Sequence, residues 1–320
     1  MKTKLRAVLL ILLPIAAGAL CLCAGRYSLA VTDIFGAAAD DTARRILLNV
    51  RLPRVLMAFV AGAGLSAAGA AMQSLFSNPL AAPDTVGTAG GACFGAAAGV
   101  LSGGGILLTE ISAFGAGLAA SALTVIASGR RRERISMILS GLAVAGLADS
   151  LTALVKYIAD PLDELPAVTY WLLGSVAGAS YRTLLFAAVP VAVGVSVIYA
   201  MRWQLDILTL STDEAMSLGL DVKRCRIAVI AASSLITAAV VSVCGKVGWV
   251  GLLIPHMARL MGCTSGRKLI PACISLGGTF MIAVDTLART LTPAEIPVSV
   301  LTGIICAPAF ILLIKKANSY

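Results

Sequence analysis

The chain has 320 residues, of which 59% are hydrophobic and 13% charged, with a mean hydropathy of +0.94. A soluble domain carries roughly 25% charged residues, and an apolar surplus this large cannot hide in one globular core, so lipid must solvate much of it. The formal net charge of +9 does not point to nucleic acid as a partner. Its basic residues sit in short loops between apolar runs, the pattern of charge that orients membrane spans.

A spanning helix needs roughly 20 mainly apolar residues. In chain order the apolar runs predict helices over 5–25, 52–76, 86–102, 107–128, 135–157, 184–202, 226–244, 248–261, 270–289 and 297–315. They form one all-α, polytopic transmembrane domain over 1–320. Lys2, Lys4 and Arg6 before the first run imitate a signal peptide, but the run is long and no clean cleavage site follows, so an uncleaved helix is expected. An extracytoplasmic amphipathic piece is expected at 165–178. The eighth run is too short to span alone, which predicts a partly inserted helix packed on protein. High Gly and Ala content suits close helix packing.

Ten spans put both termini on one side. That side collects 16 of the 25 basic residues: Lys2, Lys4, Arg6, Arg130, Arg131, Arg132, Arg134, Arg202, Lys223, Arg224, Arg226, Arg259, Arg267, Lys268, Lys315 and Lys316. The bias places both termini in the cytoplasm. The remaining nine are Arg26, Arg44, Arg45, Arg51, Arg54, Lys156, Arg182, Lys246 and Arg289, five of them crowded into 26–54. Spacing alone leaves two readings of that crowd open: helix-end arginines at lipid headgroups, or a docking surface for an acidic partner.

The chain has no G-x-x-x-x-G-K-[ST] loop to cradle ATP phosphates. Its one histidine, His256, has no companion ligands. The eight cysteines, Cys21, Cys23, Cys93, Cys225, Cys244, Cys263, Cys273 and Cys306, include no CxxC pair and read as small apolar fillers. No metal site, cofactor or catalytic constellation is expected. Asp149 and Asp285 fall within spans and keep a proton relay open, although Asp285 can equally pair with Arg289 one turn on.

The longest cytoplasmic polar stretch is 203–226. Within it Ser211–Leu220 reads as a short helix capped by Ser211 or Thr212, with Asp213 and Glu214 in the first turn and Gly219 at the end. A membrane machine without its own nucleotide site needs a rigid cytoplasmic knob to receive force, and this segment is the candidate.

Arg51-Leu52-Pro53-Arg54, the run Gly62 to Gln73, and Asn78-Pro79-Leu80-Ala81 with Pro83 and Gly87 resemble the iron-siderophore, haem and cobalamin permease family of ABC importers. So do Trp171-Leu172-Leu173-Gly174-Ser175, Gly248-Trp249-Val250-Gly251-Leu252, Ile254 to Arg259, Asp285 to Arg289, Pro293 to Val298, and Ala307-Pro308. The likeness runs from about residue 44 to 316, in the family's order and spacing. It implies the type II importer fold of ten helices per subunit in the cell's inner membrane, a homodimer with its path at the interface, two separate ATP-binding subunits, and an extracytoplasmic solute-binding protein. It implies that Asp213, Glu214, Ala215, Met216, Leu218 and Gly219 belong to the segment that couples to the ATPase, and that Arg51, Arg54 and Arg289 dock acidic residues of the binding protein.

The sequence departs from the family at Ser265-Gly266-Arg267, Lys246, Ser299 and Cys306. Lys246 reads either as a snorkelling residue or as an outer-side contact for an anionic chelate or the binding protein. The expected function is ATP-driven import of an iron-siderophore or similar metal chelate, by alternating access, with ATP hydrolysed on another chain. Cobalamin, haem and molybdate or tungstate are the alternative cargoes. A proton-coupled carrier using Asp149 or Asp285 is the rival class.

Overall fold

The computed structural model describes residues 2–24, 41–129, 133–292 and 294–317. Arg26, Arg130, Arg131, Arg132 and Pro293, used in the charge count and the motifs above, lie outside them. The described residues form helices α1 (Lys2–Cys23), α2 (Asp41–Ile46), a π-helical turn Leu47–Arg51, α3 (Leu52–Phe76), a 3-10 turn Pro83–Val86, α4 (Thr88–Leu101), α5 (Gly105–Ala127), α6 (Arg134–Ile158), α7 (Glu164–Leu172), α8 (Tyr181–Ala200), α9 (Arg202–Ile207), α10 (Thr212–Ser217), α11 (Val222–Cys244), α12 (Val250–Leu260), α13 (Gly266–Thr290) and α14 (Val298–Ala317).

Among the described residues, six helices are long and apolar enough to cross a membrane: the continuous α2–α3 unit, α5, α6, α8, α11 and α13. The apolar parts of α1, α4, α12 and α14 are shorter. Every predicted apolar run is a helix, but two assignments need correction. The 86–102 segment is not a full span: α4 has 14 residues, about 21 Å at 1.5 Å per residue. Its start, Gly87, lies against Val144 and Ala145 of α6, roughly 16 Å along α6 from Arg134. The chain therefore enters part-way into the bilayer before α4 begins. The piece expected at 165–178 stops at Leu172, where Gly174 turns the chain and its N–H donates to the Trp171 carbonyl (3.1 Å).

The α3 helix is the axis of the fold. From Gly62 to Phe76 every residue is buried. Lipid gives no hydrophobic drive between helices, so association depends on close contact and polar bonds. Small residues supply the contact. A methyl at Gly62 would overlap the Gly277 carbonyl of α13, and one at Gly69 would overlap the Gly251 carbonyl of α12. Ser66 Oγ donates to the Cys273 carbonyl at 2.6 Å, stitching α3 to α13. A second polar seam runs Thr88–Ser234 (3.2 Å), Ser234–Ser121 (2.6 Å) and Thr124 to the Val86 carbonyl (2.9 Å), joining α4, α5 and α11. In contrast α5, α6 and α8 leave large apolar side chains such as Ile126, Leu142 and Leu185 exposed.

Replacing Gly69 by Ala is expected to cost about 1–3 kcal/mol through overpacking against Gly251. Gly115→Ala is the control, because nothing lies near that position. Thermal unfolding in detergent checks the pair: a lowered midpoint for the first and an unchanged one for the second.

Candidate functional site

Three regions hold the residues singled out above. The first is the end of the bundle where α3 begins and α13 finishes, the side expected to face outward. A helix leaves its last carbonyls without intrahelical partners, and α1 ends against two arginines. Arg51 Nη1 donates to the carbonyls of Leu22 (2.7 Å) and Cys23 (3.2 Å), and Arg289 Nη2 donates to that of Cys21. The positive charges also suit the negative end of the α1 dipole. Arg54 makes a double fork. Nε and Nη2 reach Asp285 at 2.8–3.0 Å, and Nη1 and Nη2 reach Glu295 at 2.9–3.0 Å. This corrects the expected Asp285–Arg289 pair: Asp285 belongs to Arg54.

All three arginines are buried, at 4%, 7% and 7% exposure for Arg51, Arg54 and Arg289, and Asp285 is at 1%. Arg44 and Arg45 are exposed on α2. Arg54, Asp285 and Glu295 tie this end of the bundle together, because Glu295 leads into α14. A clasp completes it. The Gly174 carbonyl accepts from Val298 N (3.0 Å), Ser299 Oγ donates to the Leu173 carbonyl (2.5 Å), and Ser175 N donates to the Cys244 carbonyl (2.8 Å). Ser299, a departure from the family pattern, thus fastens α14 to the end of α7.

The second region surrounds Lys246. Gly245 takes φ +68 and packs so tightly on the Trp171 carbonyl that a methyl would overlap it. The loop therefore tucks under α7 before α12 starts. Trp249, at φ +69, holds a conformation that bulky residues rarely adopt, and its ring meets Phe310 edge-on at 6.5 Å. Lys246, Lys156, Asp149, Thr152 and Cys93 line one small cavity there.

The third region is the knob expected on the cytoplasmic side. Ser211 caps α10, with its Oγ accepting from Glu214 N (3.3 Å) while the Glu214 carboxylate accepts from Ser211 N (3.0 Å) and Ser211 Oγ (2.8 Å). This is the capping box, and these bonds hold the exposed Glu214 carboxyl below its ordinary value. Gly219, at φ +81, closes the other end: Gly219 N donates to the Met216 carbonyl (2.9 Å) and Leu220 N to that of Ala215 (3.1 Å), a Schellman motif. Asp213, Glu214, Met216, Leu218 and Gly219 are exposed. Ala215 is not part of that outer face: it is 1% exposed and roots the helix in the core.

Residues outside the expected set fasten this knob to four helices. Arg134 Nη2, at the start of α6, donates to the carbonyls of Leu208 (2.6 Å) and Leu210 (2.7 Å). Arg226 of α11 donates to Thr212 Oγ1 (3.0 Å). Asp206 Oδ1 accepts from Gly266 N (2.7 Å) at the start of α13. Ser77, just past α3, donates to the Thr209 carbonyl (3.1 Å). Charge counting took Arg134 and Arg226 for topogenic residues. Asp206 carried no signal, because its partner is a backbone N–H 60 positions away. Beside the knob, a polar cavity of about 700 Å³ includes Gln73, Asn78, His256 and Arg259 among its lining residues. Gln73 accepts from Arg259 and donates to the Leu252 carbonyl at 3.2 Å, and His256 stacks edge-on with Phe310 at 6.0 Å.

Arg54→Met should lower stability by about 3–5 kcal/mol, because it strands the buried Asp285 charge. Adding Asp285→Asn and Glu295→Gln should recover most of that loss, since no unpaired ion remains. Thermal unfolding of the single and triple variants checks the difference.

A family model described as the FecCD transport family matches residues 10–316. The chain is 36% identical over 302 residues to the molybdate import system permease protein MolB of Haemophilus influenzae, covering 91% of this chain and 90% of that one. It is 35% identical to a probable iron chelatin transport system permease protein of Helicobacter pylori, covering 85% and 83%. A solved inward-facing metal-chelate type ABC transporter superposes with a TM-score of 0.92 at 35% identity, over 98% of this chain and 99% of that one. The chain is a multi-span membrane protein and belongs to the FecCD transport family.

Proposed function

We propose that the chain is the translocation subunit of an ABC importer of the inner membrane. It works as a homodimer with both termini cytoplasmic. Two separate subunits bind and hydrolyse ATP, and an extracytoplasmic binding protein delivers an iron-siderophore or similar metal chelate. Cobalamin, haem and molybdate are cargo classes that relatives carry in their names, and they remain the alternatives here, with tungstate beside molybdate. The observation that carries this reading is the knob. It presents Met216 and Leu218 to the cytoplasm, at 53% and 63% exposure, on a helix capped at both ends and bonded to four other elements. Exposed apolar side chains on a rigid polar base suit a groove on a partner.

In this mechanism, closure of the ATPases pushes α10. Arg134, Arg226, Asp206 and Ser77 pass the displacement to α6, α11, α13 and α3. Asp149 projects from the exposed face of α6. A charge inside a span faces a bundle interior or water-filled cavity, so this face borders the path between two copies. At the outer rim, exposed Arg44 and Arg45 meet the binding protein first. Its acidic residues reach Arg54 by displacing Glu295, and Arg51 and Arg289 complete the docking set. The rival proton-coupled carrier is weakened at Asp285, whose carboxylate is fully engaged by Arg54.

The test uses the full complex, with the chain coexpressed with its candidate ATP-binding partner. Met216→Asp with Leu218→Asp is expected to abolish copurification or cut ATP-dependent uptake at least tenfold, while the permease keeps its unfolding midpoint. Uptake that persists without the ATPase and collapses with the proton gradient would replace this reading with the carrier.

A further inference from the structure

A groove of about 650 Å³ runs between α5 and α8, with α11 as its floor. Ala122 and Ile126 stand on one wall, Val193 and Val197 on the other, and Ala231 and Leu235 on the floor. Apart from Ser121 and Ser234, whose hydroxyls bond each other at 2.6 Å, the lining is apolar. The groove is closed at one end. Phe114 of α5 and Phe186 of α8 meet edge-on, with ring centroids 5.8 Å apart. One turn back along both helices Glu110, 4% exposed, feels the charge of Arg182. The two rungs show that α5 and α8 run in the same direction and touch there. Toward the knob they diverge. From Ile227 to Leu235 the floor measures about 12 Å at 1.5 Å per residue, and one leaflet's share of the hydrocarbon core is about 15 Å. The groove therefore lies within a single leaflet, the one on the knob side.

Its mouth is basic. Arg224, Ala228, Ala231 and Leu235 follow at i, i+4, i+7 and i+11 and share one face of α11. Arg224 thus stands one turn beyond the floor, with Lys223 beside it, and both are exposed. Arg224 Nε pairs with Asp221 at 3.0 Å, while Lys223 makes no hydrogen bond or ion pair among the described residues. Arg226, two residues on and so on the opposite face, donates to Thr212 of the knob, which leaves Asp213 and Glu214 on that far side. Arg134 and Glu133 are electrostatic neighbours of Arg226 and belong there too. The last turns of α5 and α8, Thr124–Ala127 and Val197–Ala200, hold no charged residue. The mouth carries two cations against one carboxylate.

We propose that the groove holds one acyl chain of an anionic phospholipid from the leaflet on the knob side, with the phosphate between Lys223 and Arg224. An unfilled groove would forfeit the contacts of its lining. A helix of a second copy, about 10–12 Å wide with its side chains, would have to pass the Phe114–Phe186 rung, whereas a hydrocarbon chain can end below it. An exposed Arg–Asp pair is worth little by itself, so a phosphate can draw Arg224 from Asp221, and basic residues beside a span attract anionic lipid. The bound chain would hold α5 and α8 apart and cover the Ser121–Ser234 bond that joins α5 to α11. The site is independent of the importer reading and names no cargo.

Native mass spectrometry of the purified full-length chain, titrated in detergent with phosphatidylglycerol or phosphatidylcholine, counts the lipid retained. Phosphatidylglycerol is expected to be retained at several-fold lower concentration than phosphatidylcholine. Ala231→Phe fills the floor and Val193→Trp fills a wall, and each should remove one phosphatidylglycerol per chain. Lys223→Gln with Arg224→Gln should bring the two lipids to parity. Unfolding midpoints in lipid-free detergent, unchanged in these variants, exclude a folding defect. Equal retention of the two lipids by the unaltered chain, an unchanged count in both filling variants, or an undiminished preference after the paired Gln substitutions overturns the proposal. So does a disulfide between copies formed by Ala231→Cys and not by the unaltered chain, because the groove would then be a face between two copies.

Discussion

Close backbone approach around α3 is the constraint on which the rest of the molecule depends. In water a helix can be held by burying a stripe of leucines. In lipid that transfer gains almost nothing, and contact must come from surfaces that nearly touch. Gly62 against Gly277, and Gly69 against Gly251, provide such contact. They fix α13 and α12 to one axis, and Ser66 adds a directional bond. With α3 and α13 seated, the short α12 is held along one face, where Val250, Gly251, Leu253, Ile254, Pro255 and Ala258 are buried against protein.

The charged residues then divide by what surrounds them. Arg51 and Arg289 meet the bare carbonyls of α1, and Arg54 is shared by two carboxylates, so each has a structural partner within the chain, although the buried Nε of Arg289 is left without one. Burying such ions is favourable only with full partnering, and removing one partner is what costs most. The charges of the Lys246 cavity are the opposite case. Lys156, Lys246 and Asp149 line one open cavity and make no hydrogen bond or ion pair among the described residues, with the half-buried Asp84 beside them. Docking and structure are compatible at Arg54 only through exchange. In the docking proposed above, an incoming carboxylate would substitute for Glu295 and so bear on the start of α14.

Much of this was legible in the sequence, for physical reasons that differ by region. Long apolar runs declare helices, and the S-x-x-E spacing of Ser211 and Glu214 with Gly219 beyond declares a capped knob. Both are local signals. The depth at which α4 begins was not legible, because it depends on Gly87 meeting α6. Nor was the Arg54–Asp285 pairing, which spans 231 positions and competed with the attractive i, i+4 spacing of Asp285 and Arg289. Ala215 entered the coupling set with the rest of the motif that resembles the family's, and only packing shows that it points inward. The knob's anchors were hidden for a similar reason: Arg134 and Arg226 look like any basic residue at the cytoplasmic end of a span.

The central claim is that the knob and the α6 wall of the path move as one body. Spin labels at Leu218 and at Ala153, in the assembled complex in nanodiscs, measure it through paired distances between the two copies. Trapping the ATPases closed with ATP and vanadate is predicted to shift the Leu218 and Ala153 distance distributions together, with the Ala153 shift lost in Arg134→Ala. A Leu218 shift with an unchanged Ala153 distribution would contradict the account, because the push would end at the knob.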